Sequence, residues 1–291
     1  MDVNENESKK IAIAVITYYP SWYQGKLRSL KQTDKIRGNL AIEFFRKASQ
    51  LGYRLIVADG KSSKSFLKAI NLIPDIIIFK GRSSKRSVRK RQIIKKASKL
   101  PGVKIIIITE PEKISIIDNI PLLVKTILNN QADIDIPKRE ENFFKKTYSD
   151  YQYQSEIEGN KLYNEILRTN GLFKDNDDLD LFFGPRVFLN HPKIVSLFTK
   201  KFHLKINKKA YLDSYFDIED YSANQFFAIV LALKKKLRIK SVEIPFSYPK
   251  IQKDNEEKGS KKVFEEKRKF QKISILVELL YFLSSFKKMK I

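Results

Sequence analysis

Short apolar runs alternate with longer amphipathic segments through the first half of the chain. The first run, residues 11–17 (IAIAVIT), is apolar up to its last residue, which is typical of a strand buried on both faces. Further strands are predicted on the same pattern at residues 53–58, 76–79, 103–108 and 132–136. The segments between them place apolar side chains at helical spacing. Helices are therefore predicted at residues 38–51, 62–73, 87–100 and 114–129.

This alternation predicts the fold class. Strands and helices that alternate with short joints form an α/β fold, with a mostly parallel central sheet flanked by helices on both faces. Ligands of such sheets bind in the crevice beyond the carboxyl ends of the strands. The loops that follow the predicted strands are therefore where we expect chemistry.

The pattern changes beyond residue 138. Residues 151–169 and 223–233 favour helices, whereas residues 181–190 (LFFGPRVFLN) and 241–248 favour strands. A length of 291 residues fits one large α/β domain, which we place at residues 9–250. Residues 251–291 are predicted to form a mobile polar linker and a C-terminal amphipathic helix, the helical extension of that domain.

The apolar stretch of this last helix, residues 273–286, is too short to span a bilayer and contains Glu278. It favours a packing helix. Because basic residues flank it, association with a membrane surface remains the alternative. The first ten residues are polar and acidic, unlike a signal peptide, so we expect a cytoplasmic protein. A peripheral location at the membrane is the alternative.

Composition restricts the metal chemistry and the partners. The chain has no cysteine and two histidines, which excludes disulfides and thiolate metal sites and leaves little room for zinc. Lys and Arg outnumber Asp and Glu by 57 to 33, a net charge of +24 that favours polyanions. An AT-rich coding sequence would produce the same excess, and the basic residues are scattered without a zinc knuckle or RNA-recognition motif. No specific nucleic-acid partner is expected.

The turn Thr109-Glu110-Pro111-Glu112-Lys113 directly follows the fourth predicted strand. Two carboxylates at i and i+2 can converge on a divalent cation, and hard oxygen ligands suit Mg²⁺ or Mn²⁺ on a diphosphate. We therefore name Glu110 and Glu112 as candidate metal ligands. The alternative is a helix start, since Pro in the first turn and Glu beside the helix dipole are common there.

The order of these parts resembles the GT-A glycosyltransferases, especially those of glycosyltransferase family 2, from residue 11 to residue 248. The resemblance implies a Rossmann-like GT-A fold and a nucleotide-sugar donor site. The residues that match donor-binding positions, as the resemblance implies them, are Thr17, Tyr18, Asp59, Arg89, Arg91, Gln92, Glu110 and Arg139. Lys113 and Arg186 are further donor-binding candidates from their positions: Lys113 lies on a loop that could bring positive charge to the leaving diphosphate, and the loop at Gly184-Pro185 could offer Arg186 to donor or acceptor. Asp220, in Ile218-Glu219-Asp220, matches the acid that serves as general base in inverting members.

Each of these assignments has a structural alternative. Asp59 precedes Gly60 and suits a turn, Arg89 and Arg91 suit a solvated helix face, and Asp220 suits a helix N-cap. Arg186 follows Gly184-Pro185, which also suits a simple strand break. The sequence departs from the family in having Glu-x-Glu for the usual Asp-x-Asp, and neither His191 nor His203 stands where retaining relatives have a late ligand.

The sequence therefore predicts a hexosyltransferase-like glycosyltransferase that moves a sugar from a nucleotide-diphosphate sugar to an acceptor of unknown identity. A nucleotidyltransferase can use the same sheet topology, although the glycine-rich first loop common in sugar nucleotidyltransferases is absent after Ile16. A basic nucleic-acid-binding protein and a GT-A protein without catalytic activity are also compatible with the sequence.

Overall fold

The computed structural model describes residues 5–83, 85–173, 178–202 and 223–288. In it, strand β1 (Ile11–Thr17) lies inside a seven-stranded sheet. The remaining strands are β2 (Arg54–Asp59), β3 (Ile76–Lys80), β4 (Ile105–Ile108), β5 (Ile134–Arg139), β6 (Arg186–Leu189) and β7 (Ile239–Ile244). The strand order is β3-β2-β1-β4-β6-β5-β7. In the described ranges only β6 is antiparallel to its neighbours, β4 and β5. The predicted α/β fold with a mostly parallel, helix-flanked sheet is confirmed.

Helices cover both faces of this sheet. Those that precede β5 are α1 (Glu5–Ser8), α2 (Thr33–Gln50), α3 (Lys64–Asn71), α4 (Arg86–Ala97) and α5 (Ser115–Leu128). Those that follow it are α6 (Glu141–Thr147), α7 (Asp150–Thr169), α8 (Pro192–Thr199), α9 (Ala228–Lys234), α10 (Lys250–Asp254) and α11 (Lys261–Lys288). A π-helical turn at Ala223–Phe227 leads into α9, and a second at Asn255–Gly259 follows α10.

Two cores result from the alternation of side chains along β1. Ile11, Ile13 and Val15 pack into one core with residues of α2, α3 and α5, whereas Ala12 and Ala14 belong to the other core. Successive side chains of a strand point to opposite faces, so an uninterrupted apolar run is what a strand between two helical layers requires.

The C-terminal helix α11 is part of the second core. Ile275, Leu279, Phe282 and Leu283 are buried there, next to Phe227 and other residues of the domain. Full burial of a side chain such as Leu279 stabilises a fold by about 1.5–3 kcal/mol. Ile273, Leu280 and Tyr281 on the same helix are exposed. No helix in the described part of the chain is long and apolar enough to cross a membrane.

The segment expected to be a mobile linker has regular structure. Residues 250–259 form α10 and the second π-helical turn, in which Gln252, Asn255 and Glu256 are buried. Asn255 donates to the carbonyl of Leu30, 2.6 Å away, in the long β1–α2 loop. These contacts position the start of α11 close to the carboxyl ends of the strands.

Candidate active site

A cleft of about 370 Å³ opens beyond the carboxyl ends of β1 and β4. From β1 the chain proceeds through α2 to β2 and β3 on one side, and α4 then returns it to β4 on the other side. Parallel sheets bind ligands where the connections diverge in this way, because the loops separate and leave a crevice. The loop after β1, the acidic turn after β4 and one face of α11 line the cleft.

Asp59, at the carboxyl end of β2, holds together the loops at this edge of the sheet. It is buried, and its carboxylate accepts hydrogen bonds from Thr17 Oγ1 at 2.9 Å and from the backbone N–H groups of Lys61 and Ser62 at 2.9 Å each. The carboxylate thus fixes the turn after β2 and links it to the end of β1. The turn role considered from the sequence is present, and a ribose or base contact stays a prediction.

Arg89 lies buried beneath the same edge. Its guanidinium donates to the carbonyl of Thr17 at 3.0 Å. The side chain passes close to Gly60 and Gly81, where an added Cβ would overlap the Arg89 side chain. A side chain at either position would have to displace the buried arginine, and Arg89 positions the loop after β1.

Tyr18 is the exposed member of that loop. Its side chain is 56% exposed at the cleft, whereas the neighbouring Tyr19 is buried and donates from its hydroxyl to Glu112 Oε1 at 2.9 Å. The strand-end loop thus presents one free aromatic ring to the cleft and uses the other to hold the acidic turn.

The two carboxylates of the acidic turn have different partners. Glu110 Oε2 lies 3.1 Å from Lys113 Nζ, and Gln225 Nε2 donates to Glu110 Oε1 at 3.3 Å. Glu112 Oε1 lies 3.0 Å from Arg37 Nε of α2. Burial alone would raise the pKa of Glu110, but Lys113 and Lys90 lower it to about 2. Glu110 is therefore ionised at neutral pH, and each of the two carboxylate groups already has a cationic side chain as its partner.

In this structure the two carboxylates of the acidic turn already have cationic partners where a metal ion would have to bind. Mg²⁺ demands near-octahedral oxygen coordination at about 2.0–2.1 Å, whereas each glutamate here is held by a cation of the protein. Within residues 5–83, 85–173, 178–202 and 223–288, no group of three His, Cys, Asp or Glu side chains could hold a metal. A Mg²⁺ or Mn²⁺ site formed by Glu110 and Glu112 together with a diphosphate stays a prediction.

Two of the predicted donor arginines lie inside the protein. Arg139 binds Asp180 through Nε at 2.7 Å and Nη2 at 2.8 Å, and Glu156 through Nη1 at 2.6 Å. Arg186 is fully buried and donates to the carbonyls of Leu181, Phe183, Pro185 and Gln225. Burial lowers the pKa of Arg186 to about 10. The structure gives both guanidinium groups internal partners, and neither lines the cleft.

The other predicted residues divide between the cleft and its surroundings. Thr17, Tyr18, Arg89, Glu110, Glu112 and Lys113 line the cleft. Arg91 and Gln92 belong to α4 but not to the lining, and Gln92 accepts from the backbone N–H of Arg82 at 3.1 Å. Asp220 and the rest of Ile218-Glu219-Asp220 lie outside the described residues, as does His203.

Several lining residues were not predicted. Gln225, in the first π-helical turn, holds Glu110 and donates to the carbonyl of Gly184 at 3.0 Å. A polar residue inside the apolar run 223–233 was the available signal, and π-helical turns are frequent at functional sites. Arg37 was missed because the helix containing it was predicted to start after it.

Helix α11 supplies one wall of the cleft. Phe264, Lys267, Arg268, Gln271 and Ile275 recur at intervals of three and four residues, so they lie on one helical face. Arg268 Nη1 lies 3.3 Å from Glu156 Oε1, which connects the helix to the buried Arg139 network. No local sequence signal identifies Lys267 among its many neighbouring lysines, because its role depends on where the helix packs.

No protein-family model and no curated protein matches the chain. Among solved structures, a 4-diphosphocytidyl-2C-methyl-D-erythritol synthase from Anaerococcus prevotii is 12% identical, over 88% of this chain and 99% of that chain, with a TM-score of 0.44. A putative nucleotide-diphospho-sugar transferase from Desulfovibrio desulfuricans is 10% identical over 81% and 80%, with a TM-score of 0.41. A CMP:2-keto-3-deoxy-manno-octonic acid synthetase complexed with CTP is 11% identical over 90% and 98%, with a TM-score of 0.38. Likenesses at this level assign no activity, and membership of glycosyltransferase family 2 is not shown.

Proposed function

We propose that the chain transfers a sugar from a nucleotide-diphosphate sugar to an acceptor, with the donor bound in the cleft beyond β1 and β4. One observation carries this proposal. The cleft combines an exposed aromatic ring, Tyr18, with a cation-rich lining at the point where a parallel sheet binds its ligands. A nucleotide offers a flat base for the ring and a diphosphate for the cations.

The residues of the cleft have separate roles in this proposal. Tyr18 stacks on the nucleobase, and Asp59, Thr17 and Arg89 hold the Tyr18 loop in place through the contacts described above. The glutamates of the acidic turn hold Lys113 and Arg37, which both line the cleft. Cations held in advance stabilise the charge that develops on a leaving diphosphate, because they need no reorganisation during the reaction.

The transfer step breaks the bond between the anomeric carbon and the diphosphate oxygen, and the bonding electrons leave with the nucleoside diphosphate. A hydroxyl oxygen of the acceptor forms the new bond to that carbon and loses its proton to a base. Asp220 is our proposed base, on the resemblance of Ile218-Glu219-Asp220 to the corresponding family element. The products are a glycoside and a nucleoside diphosphate.

A thermal-shift screen tests the proposal. UDP, GDP, CDP, dTDP and their sugar conjugates are compared with and without EDTA. A ligand at a hundredfold excess over its dissociation constant stabilises the native state by about 2.7 kcal/mol, which corresponds to a rise in Tm of roughly 5–10 °C for a domain of this size. We expect the nucleotides of one base to produce this rise.

Other results would point to other functions. Stabilisation by no nucleotide, together with a larger rise on adding single-stranded RNA, would contradict the proposal and favour a basic nucleic-acid-binding protein. Release of pyrophosphate from a nucleoside triphosphate and a sugar phosphate would identify a nucleotidyltransferase. Donor binding without turnover on any acceptor would indicate a protein that has lost catalysis.

A further inference from the structure

Among the residues that the structure describes, the charges around the cleft do not balance. Seven cationic side chains of this set line it and five carboxylates face them, an excess of two positive charges. Several of these charges neutralise one another in pairs. Glu110 pairs with Lys113, Glu112 with Arg37, and Glu156 with Arg268 and the buried Arg139.

Lys267 is left out of these pairs. In the part of the chain that the structure describes, its ammonium group forms no ion pair. Its helical face, shared with Phe264 and Gln271, is turned to the cleft. A partly buried ammonium group surrounded by other cations is unfavourable, so the group either loses its proton or gains an anion as its partner.

The surroundings of Lys267 support the presence of an anion site. Burial, together with the charges of Arg37, Arg268 and Arg86, lowers the pKa of Lys267 to about 7, and Glu256 opposes this effect. Arg37 belongs to α2, Arg86 to α4 and Arg268 to α11. Cationic side chains of three helices therefore surround the ammonium group of Lys267. Strongly perturbed groups in a cleft are candidates for ligand binding.

We propose that Lys267 of α11 binds the diphosphate of the donor, so that side-chain cations neutralise this group in place of a divalent metal. This inference rests on the proposed function and specifies how its donor is held. It follows from two facts that concern the same cleft. The acidic turn that would hold a metal is already paired with Lys113 and Arg37, and the opposite wall carries an ammonium group without an ion-pair partner among the described residues.

The experiment measures binding by isothermal titration calorimetry in EDTA, with inorganic pyrophosphate and with UDP, GDP, CDP and dTDP. We expect pyrophosphate and one nucleoside diphosphate to bind, and the addition of Mg²⁺ or Mn²⁺ to change the affinity by less than about threefold. Lys267→Gln should weaken both ligands by about tenfold or more, since a charge-assisted hydrogen bond contributes about 1.5–3 kcal/mol. Lys267→Arg should restore most of the affinity.

Lys272→Gln is the matched control. Lys272 lies on the same helix and pairs with Glu158 away from the cleft, so this variant should bind like the wild type. The nucleoside without its phosphates gives a second control. Its affinity should be the same for the wild type and Lys267→Gln, whereas a general disturbance of the fold would weaken it as well.

The outcomes separate the inference from the function on which it rests. Binding that requires Mg²⁺ or Mn²⁺, or an unchanged affinity in Lys267→Gln, would overturn the inference and leave the proposed function standing. Failure of every nucleotide to bind with or without metal would overturn both. The wild-type titration in EDTA decides the metal question even if Lys267→Gln fails to fold.

Discussion

We propose that nucleobase recognition depends on Tyr18. Its ring is 56% exposed at the cleft and therefore contributes little to the stability of the free protein. Tyr18→Ala should weaken nucleoside diphosphate binding by about 5- to 150-fold, since stacking of a base on an aromatic side chain contributes about 1–3 kcal/mol. Titration calorimetry with a nucleoside diphosphate and with pyrophosphate measures this, and the pyrophosphate affinity should not change.

Tyr281→Ala provides the control for Tyr18→Ala. Tyr281 is also exposed but does not line the cleft, so its removal should leave both affinities unchanged. Tyr18→Trp should retain nucleotide binding. An equal loss of pyrophosphate and nucleotide affinity in Tyr18→Ala would show that the ring supports the loop and does not recognise the base.

Two arginines, Arg139 and Arg186, show how far the sequence predicts the roles of individual side chains. Arg139 and Arg186 stand near strand ends, as donor-binding arginines do, but the sequence does not determine which way their side chains point. Within the fold, Arg139 donates hydrogen bonds to Asp180 and Glu156. Arg186 donates to backbone carbonyl groups next to the Gly184-Pro185 break, including that of Pro185. Long-range packing determines these partners, so motif order alone could not distinguish them from ligand-binding arginines.

Strand β5 contains a buried acid that should make stability depend on pH. Asp135 is fully buried, and burial raises its pKa to about 7 against the opposing effect of a hydrogen bond from Thr126. The folded state then retains a proton that the unfolded state releases near pH 4. The contribution of Asp135 is therefore full below pH 4 and is lost as the pH rises to about 7, by on the order of 2–4 kcal/mol.

The variant Asp135→Asn should remove this loss. We expect its free energy of unfolding in urea to exceed that of the wild type at pH 8 and to match it at pH 4. Asp133→Asn, two residues earlier, is the control, because the pKa of Asp133 is shifted in the opposite direction. The hydrogen bond from Arg238 lowers the pKa of Asp133, so this variant should lose stability above pH 4 and gain none. Equal stability of Asp135→Asn and the wild type at pH 8 would contradict the assignment.

The elements were predicted more accurately than their arrangement. β1 to β4 lie within two residues of their predicted bounds because continuous apolar runs and helical spacing are local signals. The insertion of β6 between β4 and β5, antiparallel to both, was not predicted. Pairing and direction depend on contacts between distant segments, for which Leu181 to Asn190 carries no local signal.

Helix α11 joins the core of the protein to the candidate site. Its second half packs Ile275, Leu279 and Phe282 into the core, and its first half presents Lys267 and Arg268 to the cleft. From the sequence, this helix is predicted as an extension of the domain, because no local sequence signal indicates that it packs next to the carboxyl ends of the strands. Donor binding and the packing of the C-terminal segment should therefore be coupled.

Hydrogen exchange of the full chain, with and without a saturating nucleoside diphosphate, tests whether the donor binds in this cleft. We predict that added protection is concentrated in three segments distant in sequence: residues 17–19 after β1, residues 110–113 after β4, and residues 264–271 of α11. Residues of all three segments line the cleft. Protection in a different region of the described chain, with these three unchanged, would show that the cleft beyond β1 and β4 is not the donor site.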